Sequence, residues 1–245
     1  MDLKGRAVLV TGAAKRIGRT IALAFAARGA RLLLHYHTSE REALETSDEV
    51  AKISGQDPVL ICADLSDPAE FKRLFDRHAE LSEVSVLINS ASIFHKTPLS
   101  EITESDWRDL LWTNTVGPFF LAQKVGLSLK KRDAEGLIVN ITDRAAKRPY
   151  RDYLPYCASK AALENVTRAL AEELAPKVRV NSVAPGAVLF PEAYGDKEKE
   201  AVIKQVPLGR AGSPEDVAAA CLFLADNDYV NGQTITVDGG RTLFH

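Results

Sequence analysis

Arg6-Ala7-Val8-Leu9-Val10-Thr11-Gly12-Ala13-Ala14-Lys15-Arg16-Ile17-Gly18 is the stretch whose reading decides the fold. Its opening run is apolar on nearly every residue, which is how a strand covered on both faces reads. Gly12 then permits a tight turn, and a helical run follows that ends in Arg28, with Gly29 as its stop signal. A helix starting in that turn presents free N–H groups and a positive dipole end, a ready seat for a pyrophosphate. A plain strand-to-helix turn is the competing reading. The turn's place, first in the chain and directly after a buried strand, favours a dinucleotide.

Working outward, the same alternation repeats. Arg6–Val10, Ala30–His35, Pro58–Cys62, Val84–Asn89, Gly136–Ile141, Arg179–Ala184 and Thr234–Val237 read as strands, with helical periods between them. Ser39-Glu40-Arg41-Glu42 has the composition of a capping box, and Asp67-Pro68 that of an N-cap before proline at the first helical position. Repeated βαβ units imply right-handed crossovers, so the expected architecture is α/β: one doubly wound, Rossmann-type parallel sheet with helices on both faces. No linker, repeat or low-complexity stretch interrupts residues 1–245, which predicts a single domain. The segment 190–209 differs. Pro191, Gly195, Pro207 and Gly209 flank the charged run Asp196–Glu200, and the segment follows a strand's carboxyl end, which predicts a substrate lid.

The 245 residues are 46% hydrophobic and 26% charged, with a net charge of −2. That composition is ordinary for a globular chain and gives no basic tail or patch for nucleic acid. The start shows neither a signal peptide nor a membrane span, and Cys62, Cys157 and Cys221 are scattered and odd in number. Reduced thiols in a cytoplasmic protein are therefore expected, and the five histidines show no metal-ligand spacing.

The second predicted strand runs into His35-Tyr36-His37-Thr38-Ser39. A carboxylate here would bind the adenosine ribose and repel a 2′-phosphate. None is present, and Arg16, His37, Thr38 and Ser39 can gather around a phosphate, which favours NADPH over NADH. Further along, Tyr156-Cys157-Ala158-Ser159-Lys160 puts a phenol and an ammonium four residues apart on one helix face. A nearby ammonium lowers a phenol's pKa from its usual value of about 10, so the pair can hand a proton to the oxygen or nitrogen bonded to a carbon that has just received hydride.

Taken together these residues resemble the short-chain dehydrogenase/reductase family over nearly the whole length. The cofactor turn through Gly18, Asp64 in Ala63-Asp64-Leu65, Asn89-Ser90-Ala91, Asn114, Pro185-Gly186 and the closing Asn231-Gly232-Gln233 and Val237–Gly240 all match its motifs. The resemblance implies that Gly12, Lys15, Ile17, Ala63, Leu65, Thr142 and Val188 also touch the cofactor, along with Tyr156 and Lys160. It gives Asn114 a place in a proton relay, and it implies a homotetramer.

Three departures resemble the pteridine reductase branch, which includes bacterial dihydromonapterin reductases. Arg16 stands where most members have a middle glycine, the strand end reads Asn89-Ser90-Ala91-Ser92-Ile93-Phe94, and Asp143 replaces the catalytic serine. The branch implies that Arg16 reaches both cofactor and substrate, that Phe94 stacks on a pterin beside Ser92, and that Asp143 works with Tyr156 and Lys160. A carboxylate cannot donate to a ketone oxygen as serine does, but it can accept protons from, and relay them to, ring nitrogens. The expected activity is NADPH-dependent reduction of a dihydropteridine. A carbonyl or 3-oxoacyl reductase on the same fold is the alternative, and a non-catalytic NADP(H) sensor a more distant one.

Overall fold

The computed structural model describes residues 1–190 and 194–243. Seven parallel strands form one sheet: β1 (Ala7–Val10), β2 (Arg31–Tyr36), β3 (Val59–Cys62), β4 (Val86–Asn89), β5 (Gly136–Ile141), β6 (Val178–Pro185) and β7 (Thr234–Val237). Their order is β3-β2-β1-β4-β5-β6-β7, so the winding reverses between β1 and β4. At that reversal the crossovers leave to opposite sides, opening a crevice outside the carboxyl ends of the strands.

Side-chain alternation builds a separate core on each face. Val8 and Val10 of β1 and Leu32 and Leu34 of β2 pack with Ile21 and Phe25 of α1 (Arg16–Ala26) and Val217 and Leu224 of α8 (Pro214–Asp226). Leu9, Leu33 and Leu87 point the other way, against α3 (Pro68–Arg77), α5 (Gly117–Lys131) and α6 (Leu154–Glu173). Covering both faces explains why the strands are apolar at consecutive positions. Remaining helices are α2 (Glu40–Ser54), α4 (Glu104–Leu111) and α7 (Asp196–Ile203). A π-helical turn, Trp112–Val116, joins α4 to α5.

Local signals are realised unevenly. Asp67 caps α3 by accepting from the Ala69 N–H at 2.8 Å, with Pro68 next in line, as its sequence predicts. Ser39 does not: its side chain makes no cap hydrogen bond to α2, so the predicted capping box is not formed. No helix of the described residues is long and apolar enough to cross a membrane.

Candidate active site

Neighbouring elements hold the turn after β1 rigidly. The Thr11 hydroxyl accepts from the Ser90 and Ala91 N–H groups at 2.9 and 3.0 Å, joining the ends of β1 and β4. Buried His35 accepts the Gly12 N–H at Nδ1 (3.2 Å) while Nε2 lies 3.0 Å from the Ala63 carbonyl. Thr46 of α2 donates to the Ala14 carbonyl at 3.0 Å. Gly12 has φ +63°, and a Cβ on it would come within 2.9 Å of Ala91 Cα. A Cβ on Gly18 would overlap the Gly12 carbonyl oxygen.

The same turn meets the requirements of a bound pyrophosphate. First turns of α2, α3, α4 and α8 all carry acidic residues, whereas α1 has none there and no capping side chain. Its N–H groups and dipole are thus open to an anion. Arg16 occupies the left-handed region at φ +57°, a conformation that costs a non-glycine residue about 1 kcal/mol or more. Lys15, Arg16 and Ile17 line the cleft.

Beyond β2, His37 and Thr38 are exposed, and the uncommitted Ser39 hydroxyl sits next to them. His37 Nε2 lies 3.8 Å from Asp64. Burial alone would raise the Asp64 carboxyl, but two Ser66 donors at 2.7 and 2.8 Å outweigh it and hold the group below its ordinary range. His37, Thr38, Ser39, Ala63, Asp64 and Leu65 lie outside the main cleft. Asn89 is likewise not brought into it. Its side chain donates to the Pro118 and Asn140 oxygens inside the molecule, and Asn140 passes the chain on to Thr167.

At the end of β5 the chemistry converges. Asp143 Oδ2 accepts from the Tyr156 hydroxyl at 2.8 Å. Oδ1 accepts from the Tyr150 hydroxyl at 2.8 Å and the Ala145 N–H at 2.7 Å. Lys160 corrects one expectation. Its Nζ donates to the Ile141 carbonyl at 3.1 Å and stands 5.8 Å from the Tyr156 ring centroid, without a hydrogen bond to the phenol. Burial, reinforced by Asp143, therefore pushes the Tyr156 phenol well above its ordinary pKa instead of below it. Lys160 is itself pushed down to about 8 by burial. In this state Tyr156 is a protonated acid and Asp143 its partner.

Asn114, fully buried in the π turn, accepts from the Ser92 hydroxyl and Ile93 N–H, and donates to the Ile93 carbonyl and Ser159 hydroxyl. Ser159 in turn donates to the Tyr156 carbonyl at 2.7 Å. Asn114 thus ties the Ser92–Phe94 loop to the catalytic helix. Phe94 stacks face to face on Tyr153 at 4.5 Å and meets Tyr156 edge-on at 4.7 Å.

Asp143, Tyr150, Tyr153, Tyr156, Lys160 and Phe94 line one cleft of about 1080 Å³, whereas Asn114, like Asn89, is not brought into it. Ser90, Ala91, Ser92, Thr142, Pro185, Gly186 and Val188 line it too, and so do Phe190, Tyr194, Val202 and Gln205 around α7. The predicted lid thus borders the cleft, although Pro191 lies outside the described residues. Sequence reasoning missed Tyr150 and Tyr153, on the loop before α6, and Arg144 and Arg241, each the first residue of a short 3₁₀ turn, after β5 and after β7. A tyrosine spaced three before Tyr156 was the one available signal, since that spacing faces the same side of a helix.

A profile described as Enoyl-(Acyl carrier protein) reductase matches residues 12–242. The chain is 34% identical over 251 residues to "3beta-hydroxysteroid dehydrogenase 1" of Eggerthella lenta, covering 99% of this chain and 96% of that one. It is 33% identical to the "3-oxoacyl-[acyl-carrier-protein] reductase FabG" of Escherichia coli, covering 99% and 100%. Among solved structures, "FolM Alternative dihydrofolate reductase 1 from Brucella canis complexed with NADP" superposes with a TM-score of 0.90 at 30% identity, covering 100% and 96%.

Proposed function

The chain belongs to the short-chain dehydrogenase/reductase family of oxidoreductases, and from that membership we propose that it is an NADPH-dependent reductase of a dihydropteridine C=N bond. The observation that carries this reading is Asp143, a carboxylate held by two phenols and a backbone N–H where a ketone reductase needs a hydroxyl donor. The NADP complex of a FolM alternative dihydrofolate reductase with the same fold supports both the cofactor and the substrate class.

With its pyrophosphate held by the turn at the start of α1, the reduced cofactor would supply hydride. Lys15 and Arg16 would neutralise its phosphates, with His37, Thr38 and Ser39 around the 2′-phosphate and Asp64 near the adenine. Tyr156 would protonate the substrate nitrogen while Asp143 Oδ2, already in contact with that hydroxyl, orients the proton and relays its replacement. Lys160 would hold the ribose hydroxyls. Phe94, with Tyr153 behind it, offers a flat apolar wall for a fused ring. We further read residues 1–245 as one domain with its lid at 190–209, working in the cytoplasm as a homotetramer.

The FabG relationship favours a second reading, reduction of a carbonyl or 3-oxoacyl thioester. NADPH oxidation with dihydrobiopterin, dihydrofolate and a 3-oxoacyl thioester separates the two. The pteridine reading expects turnover with the first pair, and turnover of the thioester alone ends it. Replacing Asp143 with serine should lower dihydropterin turnover on the order of 10²-fold, because the ring nitrogen loses its carboxylate relay.

A further inference from the structure

We infer that Arg144 and Arg241 form an anion subsite at the substrate end of the cleft, which takes a carboxylate or phosphate carried by the substrate's side chain; this rests on the pteridine reading and narrows it. Arg144 is 5% exposed, and its Nε has no hydrogen-bond partner among the described residues. Arg241 Nε is buried and unpartnered in the same sense. Neither guanidinium forms an ion pair among the described residues. Asp143, the carboxylate that acts electrostatically on Arg241, is already committed to Tyr150, Tyr156 and the Ala145 N–H.

Buried guanidinium N–H groups left without acceptors are costly, and two like charges in one cavity add to that cost. Both arginines line the cleft, and the Arg144 charge opposes that of Arg241. Arg144 stands over the Tyr150 ring, 5.2 Å from its centroid, and also acts on that phenol, leaving its buried Nε without an acceptor. Among the described residues the Arg241 guanidinium donates to Gln205 Oε1 at 2.8 Å, just after α7, and its charged and phenolic neighbours besides Arg144 are Tyr150, Tyr194 and Asp143. The pair therefore groups with the proton-donating side chains and not with the phosphate-binding turn of Gly12–Gly18. A ring seated between Phe94 and the nicotinamide would extend its side chain toward them, and an anionic group there supplies the missing acceptors in bidentate form.

Isothermal titration of the NADP⁺-saturated protein with glutarate, and separately with inorganic phosphate, tests the subsite without turnover. Saturable binding of at least one dianion is expected, weakened about tenfold or more in a folded Arg241→Gln protein and again in Arg144→Leu. Binding of glutarate alone identifies a carboxylate tail, and binding of phosphate alone a phosphate ester. In the companion assay, the ratio of kcat/KM for dihydrofolate to that for dihydrobiopterin should fall by a similar factor in Arg241→Gln. If neither dianion binds the wild-type protein, or both variants bind as it does, the subsite is overturned whatever is turned over. Arginine-dependent binding without any pterin turnover would instead retain the subsite and remove the pteridine reading.

Discussion

Asp143 receives its three hydrogen bonds from residues that chemistry can separate. Tyr156 contacts Oδ2 and lines the cleft, so Tyr156→Phe should leave NADPH affinity intact and reduce turnover on the order of 10² or more. A variant that binds NADPH normally and turns over like wild type would rule the phenol out as the proton donor. Tyr150 holds Oδ1, and burial with Asp143 pushes its own phenol well above its ordinary value, so it stays a donor throughout the working range. Tyr150→Phe should therefore cost several-fold in kcat through lost positioning of the carboxylate, with little change in NADPH affinity. His35 carries the pH argument. Burial lowers it from 6.5 to about 4, so the folded chain keeps it neutral while the unfolded chain protonates it first. Its contribution is complete above pH 6.5 and is lost as pH falls toward about 4, a total of roughly 3 kcal/mol. Urea midpoints at pH 7 and pH 5 should show a smaller loss on acidification for His35→Gln than for wild type, and equal losses would remove His35 as the cause.

The cofactor turn is an element held from outside by His35 of β2, Thr46 of α2 and Ala91 after β4. Thr46→Val keeps the shape but leaves the Ala14 carbonyl without its donor, which should weaken NADPH binding several-fold for a loss of about 1 kcal/mol. Fluorescence titration with NADPH reads this directly, and an unchanged Kd would show that the turn does not depend on α2. All seven strands were legible within two residues at each end: β1 and β4, buried on both faces, write unbroken apolar runs, whereas β7, half-buried at every residue, reads as the alternation Thr-Ile-Thr-Val. Ser39-Glu40-Arg41-Glu42 misled, since a capping composition says nothing about whether the serine turns inward, and here it does not. Helix-borne and turn-borne site residues such as Tyr156 and Gly12 were readable from spacing. Arg144, Tyr150 and Arg241 were not, because loop folding and the C-terminal approach past β7 bring them together across the sequence. Lys160 shows a subtler limit: four-residue spacing fixed its face, but only burial and the Ile141 carbonyl determine which way its ammonium points.

At the scale of the whole molecule, the strand order β3-β2-β1-β4-β5-β6-β7 divides the sheet at the β1–β4 junction, where the crevice opens. Thr11, Ser90 and Ala91 join the two halves there through backbone donors. The crevice is lined from both sides, from Gly12 and Arg16 to Thr142 and Pro185, so a dinucleotide laid along it would touch both halves. Binding is then linked to unfolding of the entire sheet and not of one half. At 100 times its Kd a ligand that binds only the folded state adds about 2.7 kcal/mol, which for a chain of this size raises Tm by roughly 5–10 °C. NADPH at that concentration should produce such a shift as a single transition. NADH at the same concentration should produce much less, because Arg16, His37, Thr38 and Ser39 then meet no 2′-phosphate and no carboxylate is present at the end of β2 to engage the free ribose. A calorimetric scan showing equal shifts for the two cofactors would refute the phosphate-specific assignment. Two separated transitions, only one of them moved by NADPH, would show that the two halves of the sheet do not unfold as one unit.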